Sequence, residues 1–336
     1  MNIFELTRSL VDIESITEHE EPVGSFVFKI LSDLAARSGG SVERCPVGPN
    51  RFNVFAHWEN PIVTLSTHMD TVPPFFASRE DSDFIWGRGA ADAKGIIASM
   101  IVAAENLLAR GTRNIGLLFV VGEERNSAGA RAAAQDHRGS RFLINGEPTD
   151  NKLALATKGI LRYEIHATGR LAHSAYPELG DSAIEKLLDA LQQIRRIPLP
   201  QDELLGHGSL NIGVISGGHA PNVIADAARA EISFRLVGDA EPIRQAVQRA
   251  VAGRAEAREI FSIPCVRFDR LGGFESTIVS YTTDVPAFAN AWGKPFVLGP
   301  GSILVAHTLE ERVAKKQLLE ATEIYERMVK QLLAAS

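Results

Sequence analysis

The sequence predicts an α/β protein whose mainly parallel sheet, covered by helices, is interrupted by a smaller α+β domain. Up to residue 158, short apolar runs alternate with helical segments, a pattern typical of a parallel sheet. Between 159 and 268 the order becomes β-α-β-β-α-β, which is that of a small split sheet with two helices on one face. After Asp269 the first pattern resumes. We therefore predict one domain of residues 1–158 and 269–336, and an inserted domain of residues 159–268.

The elements of the larger domain follow from hydrophobic periodicity. Apolar residues at helical spacing predict helices, and continuous apolar runs predict strands buried on both faces. The predicted helices are 2–14, 21–37, 94–110, 127–136 and a C-terminal helix from about Glu310. The predicted strands are 62–66, 114–121, 141–145 and the short run 296–298.

The inserted domain shows a different pattern, because its strands alternate between apolar and polar residues. This alternation is typical of a sheet with one face exposed to solvent. The predicted strands are 159–169, 209–218, 228–237 and 260–268, and the predicted amphipathic helices are 182–197 and 240–254.

Composition excludes several classes of partner. The 336 residues carry a net charge of −6 without a basic block, which argues against nucleic acid and anionic membranes as partners. No apolar run is long enough to span a bilayer, and the N-terminus is amphipathic rather than a signal peptide. Cys45 and Cys265 form no CxxC pair, so we expect a protein of the reducing cytoplasm.

Polar residues that bind metals follow several of the predicted strands, at the edge where ligands gather in open α/β sheets. They are His68 and Asp70, Asp92, Glu123 and Glu124, Glu147, and His307. Nitrogen and oxygen donors without a thiolate suit Zn²⁺, Co²⁺ or Mn²⁺. The sequence therefore predicts a metal centre at the carboxyl ends of the parallel strands.

Each residue taken singly also has an ordinary structural explanation. His68 could be a buried histidine paired with Asp70, and Asp92 could be a helix N-cap. Glu123 and Glu124 could form a solvated turn. Glu147 could be an ordinary loop carboxylate, and His307 could be a helix-entry residue. The combination favours a metal centre, because independent coincidences at the same sheet edge are improbable.

The stretches that contain these residues resemble the M20 metallopeptidases and amidohydrolases, the group of acetylornithine deacetylase and succinyl-diaminopimelate desuccinylase. The matching stretches span nearly the whole chain in family order: THMDTVPPF, GRGAADAKG, VVGEER, INGEP, GRLAHSAYPELGDSAI, GGHAPNVIA, FRL and GPGSILVAHTLEE. The resemblance implies two divalent metal ions, with Zn²⁺ preferred over Co²⁺ or Mn²⁺. It also implies that the inserted domain acts as a lid and mediates a homodimer.

The resemblance assigns a role to each metal-ligand candidate. His68 and Glu147 bind one ion, Glu124 and His307 bind the other, and Asp92 bridges the two. A cis peptide bond is expected between Asp92 and the following alanine.

Further residues are expected to act in catalysis or to contact the substrate. Asp70 orients the imidazole that binds the first ion, and Glu123 is the general base. His173 is expected to reach the active site of the other subunit and to donate to the tetrahedral oxyanion. Asn222 and Arg235 match substrate-contacting positions, and a strand salt bridge is an equal alternative for Arg235.

Sequence reasoning also leads to a substrate class. We expect the loop at Gly301 to present backbone N–H groups to a substrate carboxylate, and Arg235 to clamp that carboxylate. Family aminopeptidases tend to carry Asp where this chain has Glu147. The sequence therefore favours a deacylase of small N-acylated amino acids. An aminopeptidase, dipeptidase or carboxypeptidase is the alternative, and a metal-free binding module is disfavoured because every ligand position is present.

Overall fold

A computed structural model describes residues 1–335, which divide into two compact units. The first comprises Met1–Leu155, Phe268–Thr277 and the chain from Thr283 onward. The second comprises Ala156–Arg267 and the short return Ile278–Thr282. The second unit thus begins slightly before the predicted segment 159–268. It also includes the later segment Ile278–Thr282, which the sequence did not predict.

A six-stranded sheet forms the centre of the first unit. Its strands, in spatial order, are Ser41–Gly48, Arg51–Trp58, Ile115–Val120, Val63–His68, Phe142–Asn145 and Lys294–Val297. The last four are parallel to one another, whereas the first two form an antiparallel hairpin at one edge. The prediction of an α/β protein with a mainly parallel sheet is confirmed.

The edge hairpin was missed by the sequence analysis. The strand Ser41–Gly48 contains Glu43, Arg44 and Pro46, and it is exposed or half-buried along its whole length. A strand at the edge of a sheet keeps one side in solvent and can carry charge and proline. Its sequence therefore lacks the apolar run that identified the central strands.

Five helices pack around this sheet. They are Ile3–Val11, Glu21–Ser38, Gly95–Ala109, Ala128–Gln135 and Lys315–Ala334. The third helix is buried on nearly every side and contacts the fifth. No helix within residues 1–335 is long and apolar enough to cross a membrane.

The C-terminal helix begins at Lys315, so the predicted start near Glu310 was wrong. The residues between are used differently, because Arg312–Ala314 is a short strand paired with Phe84–Trp86. The latter strand also pairs with Arg79–Glu80.

The second unit contains the predicted β-α-β-β-α-β order. Its antiparallel sheet runs Ser209–Gly217, Ala227–Leu236, Gly159–Thr168 and Glu256–Ile263, with helices Ala183–Ile194 and Glu241–Val251. These helices bury apolar side chains such as Leu187 and Val247 against the sheet. The last strand was predicted at 260–268. It instead starts earlier and ends before Pro264, whose ring removes a backbone donor.

Short strands complete both units. Ala172–His173 pairs with Val223–Ile224, and Gln201–Asp202 pairs with Gly206–His207, all within the second unit. The remaining strands lie at or beside the unit boundaries along the chain and are Leu153–Thr157, Val266–Arg267 and Ser276–Val279.

Candidate metal centre

Three neighbouring parallel strands bring their candidate ligands to one edge of the sheet. The strands end at His68, Val120 and Asn145. His68 is itself a strand terminus, Glu124 follows the second strand, and Glu147 follows the third. The parallel pairing explains this convergence, because the carboxyl ends of parallel strands meet at the same edge.

Asp92 lies between two histidines. Its Oδ1 is 3.0 Å from His68 Nε2, and its Oδ2 is 3.5 Å from His307 Nε2. The same nitrogen of His307 is 3.0 Å from Glu124 Oε1. Ligand atoms of His68, Asp92 and Glu124 lie within 4.8 Å of one another, a spacing that could hold a metal ion.

The backbone around Asp92 is not helical, so the N-cap explanation for this residue is wrong. Asp92 and Ala93 have non-helical dihedral angles, the peptide bond between them is cis as predicted, and the helix starts at Gly95. Lys94 is fully buried and donates from Nζ to the backbone oxygen of Ile13 at 2.5 Å. Burial lowers the pKa of Lys94 to about 7.

Asp70 holds both a histidine and the neighbouring turn. Its backbone oxygen is 3.0 Å from His68 Nδ1, and its carboxylate Oδ1 is 3.6 Å from the same nitrogen. The carboxylate also accepts hydrogen bonds from Thr17 Oγ1 at 2.8 Å and from the backbone N–H groups of Gly122, Glu123 and Glu124 at 2.9, 3.1 and 3.2 Å. With Nδ1 engaged in this way, Nε2 of His68 is directed at Asp92.

The candidate base and one candidate ligand are carboxylates whose environment disfavours ionisation. Burial, reinforced by the charge of Glu147, raises the pKa of Glu123 well above its usual range. Burial, reinforced by the charge of Asp92, does the same to the pKa of Glu147, whose Oε1 accepts a hydrogen bond from Asn145 at 3.2 Å. Burial opposes ionisation of Asp92 as well, but hydrogen bonds from both histidines lower its pKa overall.

A further buried carboxylate, Asp284, was missed by sequence reasoning. Burial raises the pKa of Asp284 to about 7, and the charges that act on it include those of His68 and Asp70. Its Oδ1 has no hydrogen-bond partner among the described residues. Nothing in the stretch TTDVPAF distinguishes this residue from an ordinary loop aspartate.

The arrangement fits a pair of divalent cations. Each oxygen of Asp92 faces a different histidine, which is the placement a bridging carboxylate needs. The donors are imidazole nitrogens and carboxylate oxygens, which suit Zn²⁺, Co²⁺ or Mn²⁺. Cations at this place would also neutralise the buried acids that otherwise resist ionisation.

In the second unit, two of the predicted residues lie side by side. His173 pairs in register with Val223, and the N–H of Ser174 donates to the backbone oxygen of Asn222 at 3.0 Å. His173 is exposed, and its Nδ1 accepts the N–H of Ala175 at 3.1 Å.

Arg235 lies on the strand Ala227–Leu236 and is half-buried. Burial alone lowers the pKa of its guanidinium. Among the described residues this guanidinium has neither a hydrogen-bond nor an ion-pair partner, so the alternative of a strand salt bridge is wrong. A half-buried arginine without a carboxylate is free to receive one from a ligand.

Gly301 is placed differently from the expectation. Its N–H donates to Gln317 Oε1 at 3.2 Å, so this amide is not free to bind a carboxylate. The residue has a φ of +90°, and a Cβ there would lie 3.0 Å from the Cβ of Ala91. Gly301 thus allows its loop to pack closely against the segment that carries Asp92.

Comparison with known proteins identifies relatives over nearly the whole chain. A profile described as peptidase family M20/M25/M40 matches residues 64–331. A peptidase M20 domain-containing protein of Schizosaccharomyces pombe is 37% identical over 340 residues, covering 98% of this chain and 84% of the relative. A probable carboxypeptidase of Aspergillus clavatus is 38% identical over 372 residues, covering 97% of this chain and 81% of the relative.

Among solved structures, a tripeptidase of Staphylococcus aureus is similar with a TM-score of 0.82 and 20% identity, covering 98% of this chain and 97% of that one. At this identity the likeness concerns the fold. The relatives by sequence are named as peptidases and carboxypeptidases. The narrower resemblance to acetylornithine deacetylase and succinyl-diaminopimelate desuccinylase is therefore not supported.

Proposed function

Because this chain belongs to peptidase family M20/M25/M40, whose members hydrolyse peptide or amide bonds, we propose that it is a metal-dependent carboxypeptidase. The substrate is a small peptide with a free α-carboxylate, and the products are its last amino acid and the shortened peptide. This replaces the deacylase that the sequence favoured with the alternative that the named relatives support.

We propose that the enzyme uses two divalent cations, with Zn²⁺ preferred over Co²⁺ or Mn²⁺, and that five side chains bind them. His68 and Glu147 would hold one ion, Glu124 and His307 would hold the other, and Asp92 would be shared by both. Such ions polarise a carbonyl and lower the pKa of water.

The chain's own residues then move the protons. Glu123 accepts a proton from the attacking water and later donates it to the leaving nitrogen, so that the amide is replaced by an acid and an amine. His173 donates a hydrogen bond to the carbonyl oxygen as negative charge develops there. Asn222, beside it, contacts the substrate.

The observation that carries the substrate assignment is the unpaired guanidinium of Arg235. A planar guanidinium binds a carboxylate through two parallel hydrogen bonds, which a lysine ammonium cannot reproduce. A C-terminal carboxylate is the group that every carboxypeptidase substrate has. Glu147 supports the same choice, because family aminopeptidases tend to have Asp there.

A substrate panel with metal-loaded enzyme tests this function. N-blocked dipeptides with a free carboxylate should be cleaved, and the same peptides amidated at the C-terminus should be poor substrates. Release of the N-terminal residue from unblocked, C-amidated dipeptides would contradict the proposal and indicate an aminopeptidase. If no substrate of the panel were hydrolysed at saturating metal, the proposal that this chain is a hydrolase would be contradicted.

The role of Arg235 can be tested against a matched arginine on the same strand. Arg235→Lys should raise KM for free-carboxylate substrates. The loss of binding free energy should be ~2–5 kcal/mol if the pair is desolvated when the substrate is bound. Arg229→Lys is the control, because Arg229 is exposed and already contacts Ser216 and Glu164. Equal KM values for the two variants would remove Arg235 from substrate binding.

A deacylase of N-acetylated or N-succinylated amino acids remains the second candidate function. Such substrates present the same amide bond beside the same free α-carboxylate, so Arg235 and Glu147 favour them equally. The two functions differ only in the group on the carbonyl side. Including N-acetyl and N-succinyl amino acids in the panel distinguishes them by kcat/KM.

We also propose that the second unit mediates a homodimer. The strand Ser209–Gly217 is an edge of its sheet, and its outer backbone groups are unpaired within the described sheet. Val214 and Ile215 on this strand are 44% and 55% exposed, and Leu188 on the adjacent helix is 48% exposed. Exposed apolar residues beside an open edge provide the self-complementary surface that twofold symmetry requires.

A further inference from the structure

One buried carboxylate holds the backbone that presents Asp92. Glu311 is fully buried, and its Oε1 accepts hydrogen bonds from the N–H groups of Gly89 at 2.9 Å, Ala91 at 3.3 Å and Asp92 at 3.2 Å. Three donors on one oxygen restrict the segment more than any single hydrogen bond would. The orientation of Asp92 thus depends on a side chain that lies 219 residues away in the sequence.

The other oxygen of Glu311 binds Arg88. Oε2 is 2.5 Å from Nη1 of Arg88, and both side chains are buried. Arg88 also donates from Nε to the backbone oxygen of Pro74 at 3.2 Å, and its guanidinium lies 5.1 Å from the ring centroid of Phe76. Arg88 therefore reaches the loop that follows Asp70.

The pair joins three segments of the centre. Arg88 contacts the loop after His68 and Asp70, Glu311 holds the segment of Asp92, and Glu311 itself lies four residues after His307. Building on the proposed metal site, we infer that Arg88 and Glu311 are positioning residues. They set the distances from Asp92 to the two histidines and thereby the affinity for divalent cations.

Fold stability alone is a weaker explanation for this pair. Buried ion pairs are often no more stabilising than apolar residues of similar volume, because both charges lose hydration. Here Nη2 of Arg88 is also buried without a hydrogen-bond partner among the described residues, which opposes folding further. The geometry indicates a different role, because the other contacts of the pair are with the segment that carries Asp92 and with the loop that follows His68 and Asp70.

The inference is tested with Glu311→Gln in the full-length protein. Glutamine keeps the shape, but its amide group turns a donor either towards Arg88 or towards the three backbone N–H groups. We expect the dissociation constant for Co²⁺, titrated into metal-free protein by calorimetry, to rise about 10–100-fold. The visible absorption spectrum of bound Co²⁺ should change, and kcat should fall with little change in KM.

The matched control is Glu326→Gln. Glu326 is also a largely buried carboxylate and is bound by Asn106 Nδ2 at 2.8 Å and by Arg110. These partners lie in the last turn of the helix Gly95–Ala109 and directly after it, not in a ligand-bearing loop. The Glu326→Gln substitution should change the melting temperature of the metal-free protein without changing its Co²⁺ affinity or the spectrum of bound Co²⁺.

Folded Glu311→Gln protein with wild-type Co²⁺ affinity and spectrum would overturn the inference. If that variant does not fold, Arg88→Lys decides by the same measurements, because lysine keeps the charge but not both contacts of the guanidinium. Failure of both variants to fold would assign the pair to stability and would also overturn it. Absence of metal binding by the wild type would instead contradict the proposed function.

Discussion

Asp70 and His68 are joined by two contacts. The backbone oxygen of Asp70 is 3.0 Å from His68 Nδ1, and its carboxylate Oδ1 is 3.6 Å from that nitrogen. The same carboxylate accepts the N–H groups of three consecutive residues, including Glu123 and Glu124. One aspartate therefore orients an imidazole and holds the turn that supplies both the base and a ligand.

We predict that Asp70→Asn weakens the centre from both sides. The amide group of asparagine would place a donor against a histidine N–H or a backbone N–H, so one set of contacts is lost. Metal affinity and kcat/KM should each fall ~10–100-fold. Calorimetric titration of metal-free protein measures the first. Asp189→Asn, on an exposed part of a second-unit helix, is the control. Wild-type affinity in Asp70→Asn would show that the turn is held by other contacts.

Glu123 and Glu124 are neighbours for which we predict different losses. Glu123→Gln should keep both metal ions and substrate binding, but lower kcat by ~10²–10⁴-fold because the proton acceptor is gone. Glu124→Gln should instead lower metal affinity, because its Oε1 lies beside His307. Elemental analysis and kcat, measured on both variants in parallel, distinguish a base from a ligand.

The opposite pattern would exchange the two roles. Near-normal kcat in Glu123→Gln protein that retains metal would remove Glu123 from the mechanism.

Much of the fold could be predicted because the central strands are buried on both faces. Val63–His68 and Ile115–Val120 are buried along their whole length. Ile115–Val120 is accordingly a continuous apolar run, and Val63–His68 is rich in β-branched residues with apolar side chains at Val63 and Leu65. The edge strand Ser41–Gly48 has no such run. The C-terminal helix was predicted too early because Arg312–Ala314 is extended only through pairing with a distant strand, which no local pattern reveals.

The candidate site shows the same division. His68, Glu124 and Glu147 stand directly at strand ends, where position along the chain predicts position in space. Arg88 and Glu311 act through partners far along the chain, and their local sequence resembles ordinary loop charge. At Gly301 the local sequence was misleading instead. The Gly-rich loop indicated free backbone donors, but the N–H of Gly301 donates to the side chain of Gln317.

Asp92 should control the binding of both ions together. Since each of its oxygens faces a different histidine, Asp92→Ala removes a ligand from both positions at once. We expect metal content, measured by elemental analysis after equilibration with Zn²⁺, to fall from two ions per chain towards none. Glu147→Ala is the comparison and should weaken one position only. Two tightly held ions in Asp92→Ala protein would contradict the bridging role.

The exposed edge of the second unit predicts a site-specific effect on assembly. Ile215→Lys places a charge on the strand Ser209–Gly217 and should convert a dimer to monomers in sedimentation experiments. Ile260→Lys is the matched control, because Ile260 is 46% exposed on the strand at the opposite edge. A monomeric wild type, or dissociation by the control alone, would exclude this edge as the dimer interface.

If His173 acts in the partner's active site, two inactive variants should restore activity to each other. Glu123→Gln subunits keep His173, and His173→Ala subunits keep Glu123, so a mixed dimer contains one site with both groups. Random exchange of equal amounts makes half of the dimers mixed, each with one of its two sites intact, which predicts about a quarter of wild-type activity. Adding Ile215→Lys to both subunits should abolish this gain, because exchange requires the dimer. Activity that does not rise on mixing, with exchange verified by differently tagged subunits, would show that His173 does not act across subunits.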